Sequence, residues 1–347
     1  MKPTIAIAMS GGIDSLVSAY ILKEAGHPIF GVHFITGFET SPAQKGGEPL
    51  SDLSRQLGIS IHTIDLTIPF RQHVVEYFVR TYREGKTPNP CLVCNPVIKF
   101  GELFNAANRL GADRLATGHY ARVIRGNDGR FRLFKGLDHR KDQSYFLAFL
   151  SQCQLLTACF PLGHMHKTDV KAFAKEKGLV PTARSESQDV CFIHEKAYGD
   201  FLETYGGLTP EPGPVVTLHG ETVGRHNGLH MFTVGQRRGI NCPSSEPYYV
   251  IRLEPLSNTL VVGRKQDLEA DRCFVTRTHW IASPPDFPLA VDVRLRYRHQ
   301  AVPATLLDQG PDQVMVQFRS PQQAPTPGQG AVFYVDDEVL GSGIISL

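Results

Sequence analysis

The sequence predicts an α/β protein: a parallel, helix-covered sheet at the N-terminus, followed by a small β-rich central domain and a C-terminal β-barrel. Three observations carry this. Residues 4–9 form a short apolar run ending in Ser10-Gly11-Gly12, with Leu16, Val17, Tyr20 and Leu22 following at helical spacing, which reads as strand, tight turn, helix. Apolar segments at 28–34 and 60–66 then alternate with helical patterns at about 51–57, 70–84 and 98–110. Such alternation implies a parallel sheet covered by helices. Beyond Pro181-Thr182-Ala183 the texture changes to short β-like pieces separated by Gly, Pro and Asn.

Further along the first domain, residues 114–117 read as another strand. The segments flanking Gly126-Asn127-Asp128-Gly129 read as a hairpin on an Asn/Asp-Gly turn. Helices are expected at about 142–150 and 167–177. The central domain offers strands at 214–218, 229–234 and 248–253, and the last domain offers strands at 290–297, 304–307, 314–318 and 331–335, with 321–330 as a turn-rich connection. The expected domains are 1–197, 198–270 and 271–347.

A chain of 347 residues is long for a single core and suits two or three. With 41% hydrophobic and 20% charged residues it has the balance of a globular protein. A net charge of +2 is too small to make non-specific polyanion binding the main activity, although local basic clusters remain open to RNA. No apolar stretch nears the roughly 20 residues that span a bilayer, and the start of the chain runs into a strand without a secretory core; the expectation is a cytoplasmic protein with no membrane partner. Seven cysteines, an odd number without an export signal, argue for thiols with metal or catalytic roles rather than a disulfide scaffold.

Ser10-Gly11-Gly12-Ile13-Asp14-Ser15 lies where a strand meets a helix. There, backbone N–H groups converge at a helix N-terminus and glycines admit an anion closely. The Ser10 and Ser15 hydroxyls add donors, while Asp14 could cap the helix or orient Mg2+ on bound phosphates. The Gly-Lys-Ser/Thr ending of the common phosphate loop is absent. The hexapeptide resembles the PP-loop of ATP pyrophosphatases, which split ATP between the α and β phosphates and adenylate a carbonyl or amide oxygen.

Cys91-Leu92-Val93-Cys94 places two thiols in a proline-stiffened loop that leads into a helix, and Cys191 lies in Ser187-Gln188-Asp189-Val190-Cys191-Phe192-Ile193. Nucleophile, redox partner and metal ligand are all open roles. Cys153, Cys159, Cys242 and Cys273 read as small buried hydrophobes. A four-cysteine zinc site would want a second Cys-x-x-Cys, which the sequence lacks; three thiolates suit an iron–sulfur cluster with one iron free for an exogenous ligand.

With these motifs, the chain resembles the tRNA-specific 2-thiouridylase family (MnmA type) over nearly its whole length. The matching pieces include Thr87-Pro88-Asn89-Pro90, Cys94-Asn95, Ile98-Lys99-Phe100, Thr117-Gly118-His119-Tyr120-Ala121-Arg122, Lys141-Asp142-Gln143-Ser144-Tyr145-Phe146-Leu147, Phe160-Pro161-Leu162-Gly163, Cys191-Phe192-Ile193, Thr233-Val234-Gly235-Gln236-Arg237-Arg238-Gly239 and Arg296-Tyr297. The resemblance implies an ATP-dependent, AMP-forming tRNA-uridine 2-sulfurtransferase. It would replace the C2 oxygen of the wobble uridine (U34) in the anticodon stem-loop with sulfur from a carrier protein or free sulfide.

Carried over by motif, the resemblance implies that Ala8, Met9, Ser10, Gly11, Gly12, Ile13, Asp14, Ser15, Phe34 and Gly118 hold ATP, with Mg2+ on its phosphates. Asn89, Pro90 and Cys91 would contact the target base; Lys141, Asp142, Gln143, Arg296 and Tyr297 would contact tRNA. In the usual family account Cys191 carries a persulfide and Cys94 resolves it. The family commonly reads Asn-Pro-Asp-x-x-Cys, so Cys91 stands here in place of its aspartate. A third thiol at that point favours a [4Fe-4S] centre on Cys91, Cys94 and Cys191 over acid/base work. Residues 35–49 also lack the acidic, tryptophan-containing stretch usual in the family. Competing readings are a PP-loop sulfur transferase acting on another RNA position or a small molecule, and a non-catalytic RNA-binding homologue.

Overall fold

The computed structural model describes residues 2–39, 48–182, 190–193 and 198–346. The stretch before Cys191 and most of 35–49, on which two of the sequence readings fall, lie outside these.

The first sheet is parallel throughout, in the order β3-β2-β1-β4-β7, where β1 is Ile5–Ala8, β2 Ile29–Ile35, β3 Ile61–Asp65, β4 Arg114–Ala116 and β7 Ala158–Cys159. Its central strand β1 is apolar on both sides because both faces are covered there. Ile5 and Ile7 pack with Leu16 of α1 (Ile13–Glu24), Leu53 of α2 (Glu48–Leu57) and Val170 of a helix at Lys167–Glu176. Ala6, between them, points the other way, into a core with Phe70, Val74 and Phe78 from a helical run at 67–83 and Ile98 and Leu103 from one at 91–109. Alternate residues of one strand therefore feed two cores, as a doubly covered sheet requires.

The expected hairpin is present as β5 (Ala121–Arg125) and β6 (Phe131–Lys135), but it does not simply decorate the first domain. β6 pairs with β17 (Glu338–Ser346) and so continues the C-terminal sheet. That sheet runs β12 (Glu269–Trp280), β15 (Gln313–Gln323), β14 (Val302–Asp308), β13 (Leu289–Arg294), β16 (Gly330–Val335) and β17, and pairing of β12 with β17 closes it into a barrel. Val291, Val293 and Leu295, with Val314, Val316 and Phe318, fill it with the two-residue period of strands. β16 is buried on both faces: Ala331 and Phe333 point into the barrel, while Val332 and Tyr334 join the core of the first domain.

The central domain is a sheet in the order β10-β11-β8-β9, with β8 Gly213–Thr217, β9 Thr222–His226, β10 Tyr249–Glu254 and β11 Thr259–Gly263. Residues 229–234, expected as a strand, instead make a short 3-10 turn at Leu229–Met231 and a loop. Phe232 is buried among Val215, Val250 and Leu260, so these apolar residues serve a packed turn and the strand expectation is corrected.

Candidate active site

β1 delivers the chain into the Ser10–Ser15 turn. Met9 donates to Val32 O at 2.8 Å and receives a 2.8 Å bond from His33 Nδ1, which fixes the strand end. Gly11 takes φ +79°, a left-handed value that glycine adopts without cost. Gly12 stands at the helix N-cap with extended geometry, and among the described residues no side chain caps the first turn. Gly12 N meets Ser10 Oγ at 3.4 Å, and the N–H groups of the first helical turn beyond it have no side-chain partner among the described residues and can meet an anion. Ser15 Oγ donates to Gly12 O at 2.9 Å, and Thr182 N donates to Gly11 O at 3.0 Å. The turn is tied down before any ligand arrives.

Asp14 does not cap the helix, and that expectation is corrected. Its carboxylate takes a 2.8 Å bond from Tyr120 OH and 2.7 Å bonds on both oxygens from Lys167 Nζ. With a cation already across both oxygens, this carboxylate as placed does not fit a magnesium ligand. Gly118 presses on the same turn: a Cβ there would lie 2.9 Å from Asp14 Cβ and 3.1 Å from Ser15 N. Ile13 and Phe34 are half-buried against the two cores of the sheet.

The two neighbouring thiols do not sit in a loop, as expected, but at the start of the helical run at 91–109. Pro90 is its N-cap, and Cys94 N donates to Pro90 O at 2.8 Å. From Cys94 to Leu103 the coil widens to a π-helix, an arrangement that recurs at functional sites. Cys94 is buried and Cys91 half-buried. Cys191 keeps solvent access, but its neighbour Phe192 is buried against Phe70, Phe78 and Phe201 at ring separations of 5.1–5.6 Å, which anchors the segment.

The three thiols lie within one another's electrostatic reach. Burial pushes Cys94 up to about 12, with Cys191 and Cys91 adding to the rise. The protein crowded around Cys191 pushes it up to about 11 despite its open side, with Cys91 contributing, and burial raises Cys91 as well. The ammonium of Lys99 opposes the rise at all three. Lys99 has no hydrogen bond or ion pair within the described residues. Among those residues no three Cys, His, Asp or Glu side chains converge as a metal-ligand set. Of the cysteines expected to be plain core residues, Cys273 is buried, Cys159 and Cys242 are half-buried, and Cys153 is exposed, which corrects that reading.

His119, next to Gly118, is buried beside Phe160 and bonded to Thr117 Oγ1 at 2.7 Å; burial, with Lys99 adding, holds its pKa well below the usual histidine value. Gly118 thus packs on the Ser10–Ser15 turn, and its neighbour His119 shares the field of Lys99 with the thiols.

The barrel supplies the wall beside Asn89 and Pro90. Thr87 N donates to Pro327 O at 2.8 Å, and Gln329 Nε2 donates to Thr87 O and Pro88 O, each at 3.0 Å. Asp142 is 3% exposed: it receives bonds from Gly136 N, Ser144 N and Ser144 Oγ, and pairs with Arg294 at 3.0 Å. Gln143 and Tyr120 exchange bonds, Gln143 Oε1 taking Tyr120 N at 3.1 Å. Lys141 is half-buried. Tyr297 packs against Phe146 with centroids 4.2 Å apart and the rings tilted by 35°. Arg296 donates to Val234 O, Ala324 O and Thr326 Oγ1. Of the residues carried over as tRNA contacts, Asp142 thus spends its carboxylate inside the protein, and Arg296 commits its Nη2 there.

Sequence reasoning missed Lys167, Arg294 and Gln329, each more than 150 residues from its partner. Lys99 was inside a matched motif, and its spacing of five from Cys94 was the available signal.

Three family models match in tandem: the "tRNA methyl transferase HUP domain" over residues 3–195, the "tRNA methyl transferase PRC-barrel domain" over 199–264 and the "Aminomethyltransferase beta-barrel domain" over 270–345. The tRNA-specific 2-thiouridylase MnmA of Desulfosudis oleivorans is 49% identical over 99% of this chain and 95% of its own. That of Syntrophotalea carbinolica is 45% identical over 99% and 98%, and that of Synechococcus sp. 41% over 99% and 94%. A U34-tRNA thiolase from Methanococcus maripaludis, solved with its [4Fe-4S] cluster, overlaps 55% of this chain and 60% of its own at 20% identity and a TM-score of 0.35, a likeness too slight to inform fold or cluster.

Proposed function

The chain belongs to the tRNA-specific 2-thiouridylase family, and we propose that it replaces the C2 oxygen of the wobble uridine in tRNA with sulfur after adenylating that oxygen. The observation that supports the reading is the anion-ready turn of 10–15 packed against Gly118, with the adjacent His119 and the three thiols Cys91, Cys94 and Cys191 all within the field of Lys99.

In the first step the uridine C2 oxygen attacks the α-phosphorus of ATP and pyrophosphate leaves. Backbone N–H groups at the start of α1 face the charge that develops on the phosphates. Mg2+ would be carried by the phosphates themselves, since Lys167 holds Asp14. In the second step a sulfur nucleophile adds to C2 and AMP departs with the former carbonyl oxygen. Asn89 and Pro90, which follow the Thr87-Pro88 backbone held by Gln329, would line the place of the base, with Cys91 next in the chain.

Three thiols are the right donors for a [4Fe-4S] cluster, which would supply an iron to hold hydrosulfide. As placed, the three side chains do not converge as a ligand set, so no step is routed through a cluster. The sulfur step is written for a persulfide on Cys191, the most accessible of the three. Its outer sulfur bonds to C2 as AMP leaves, Cys94 then attacks the Cys191 sulfur, and the thiocarbonyl is released with a Cys94–Cys191 disulfide. An external thiol must reduce that disulfide, and a donor that itself carries a persulfide must transfer its outer sulfur to the Cys191 thiolate, leaving as a thiolate. Iron and sulfide analysis after anaerobic reconstitution separates the two sulfur carriers.

The test is nucleoside mass spectrometry on tRNA incubated with the protein, ATP, a low-molecular-weight persulfide as sulfane-sulfur donor and a thiol reductant, with sulfide in place of the persulfide in a parallel reaction. 2-Thiouridine at the wobble position with AMP formed supports the reading. Sulfur at another RNA position, or RNA binding without AMP formation, contradicts it.

A further inference from the structure

We propose that the loop carrying Arg237 and Arg238 in the central domain is a phosphate-binding site that grips the RNA backbone of the substrate; this rests on the tRNA reading above and names a surface for it. Both side chains are exposed, and among the described residues neither makes a hydrogen bond or ion pair. Two adjacent guanidinium groups without counter-charges are suited to a phosphodiester, which accepts their paired N–H donors.

Exposed arginines are common, and the backbone beneath these two is what sets them apart. Gln236 spans the turn from within: its Oε1 accepts from Thr233 N at 3.1 Å and its Nε2 donates to Arg238 O at 2.8 Å. Gly235 N donates to Val250 O at 2.8 Å, and Val250 N returns a 2.9 Å bond to Gln236 O, which welds the loop to β10. Gly235 and Gly239, at φ +86° and +83°, close it on either side. Below, Val234 is buried with Leu268 and Ala324, and its carbonyl takes a bond from Arg296. The side chains are free while their base is fixed, so little backbone order is lost on binding.

The loop is also joined to the thiol helix by direct contacts. Asn95 donates to Cys91 O and to Phe146 O, Phe146 packs against Tyr297, and the adjacent Arg296 holds Val234. Arg298, exposed beside Tyr297, carries a further positive charge on the barrel. An RNA held at 237–238 would therefore be registered against the residues that surround the base. Arg296 acts through this loop as a positioning residue.

The experiment measures tRNA affinity of the full chain across a salt series for the wild type, R237Q/R238Q, R237K/R238K and the charge control R109Q, whose arginine lies exposed at the end of the 91–109 helix. The double glutamine variant is expected to weaken binding about tenfold at low salt and to flatten the log–log salt slope by about 2, with the lysine pair restoring most of both. R109Q is expected to bind as wild type does. The KM for tRNA should rise in R237Q/R238Q far more than kcat falls. A wild-type affinity and salt slope in R237Q/R238Q, with its circular dichroism melt unchanged, would overturn the inference. A wild-type protein that binds no tRNA would instead overturn the functional reading beneath it.

Discussion

The Lys167 ammonium lies 2.7 Å from both carboxylate oxygens of Asp14, joining the first turn of α1 to a helix 153 residues further on. Lys167 is almost fully buried and Asp14 partly so, at 7% and 30% side-chain exposure, so removing the cation strands a charge in a poorly solvated place. K167M should lower stability by about 1–2 kcal/mol, less than for a fully buried pair because Asp14 retains some water. AMP formation should fall with it. D14N/K167M should lose less than the sum of the single variants, and thermal melts of the four proteins check the cycle.

Gly118 explains why a small residue is needed far from the glycines of the turn. A methyl group there would sit 3.0 Å from the Asp14 carbonyl carbon, against backbone that cannot swing away. G118A should therefore fold but displace the turn, lowering kcat/KM for ATP by roughly 100-fold, the scale expected for a displacement of about 1 Å in a preorganised site. Pyrophosphate release measured against ATP concentration tests this.

Asp142 and Arg294 distinguish a tRNA contact from a structural joint. Their pair is 2% and 16% exposed and links the first domain to the barrel. If the account holds, D142N costs about 3 kcal/mol of stability without any RNA present. An unchanged melt together with weakened tRNA binding would return Asp142 to direct contact.

His119 gives a pH dependence. Its folded pKa is well below the ordinary value because burial, aided by Lys99, disfavours the charged ring. As pH falls through about 6.5 the unfolded chain takes up a proton that the folded chain refuses, so stability drops on the acid side. This one group should remove about 1.4 kcal/mol by pH 5.5. Denaturant melts from pH 7.5 to 5.5 should show a shallower loss in H119Q than in the wild type.

The local grammar of the chain was readable where structure is local. The strand, turn and helix at 5–24 follow from an apolar run, two glycines and helical spacing, and the barrel strands from their two-residue period. What escaped depends on pairing over distance. Asp142 reads locally as a charged helix start, and only Arg294, 152 residues away, makes it a buried ion pair. The 121–135 hairpin looks like a decoration until β17 pairs with β6. Cys91 and Cys94 read as loop residues because prolines precede them, yet Pro90 serves as a helix N-cap.

The claim that the uridine C2 oxygen is adenylated is tested most directly by oxygen tracing. A tRNA whose wobble uridine carries 18O at C2 is converted in a single turnover with ATP and a sulfur source, and the AMP is analysed by mass spectrometry. The account predicts one 18O in the AMP phosphate for each 2-thiouridine formed. Unlabelled AMP accompanying 2-thiouridine would contradict it.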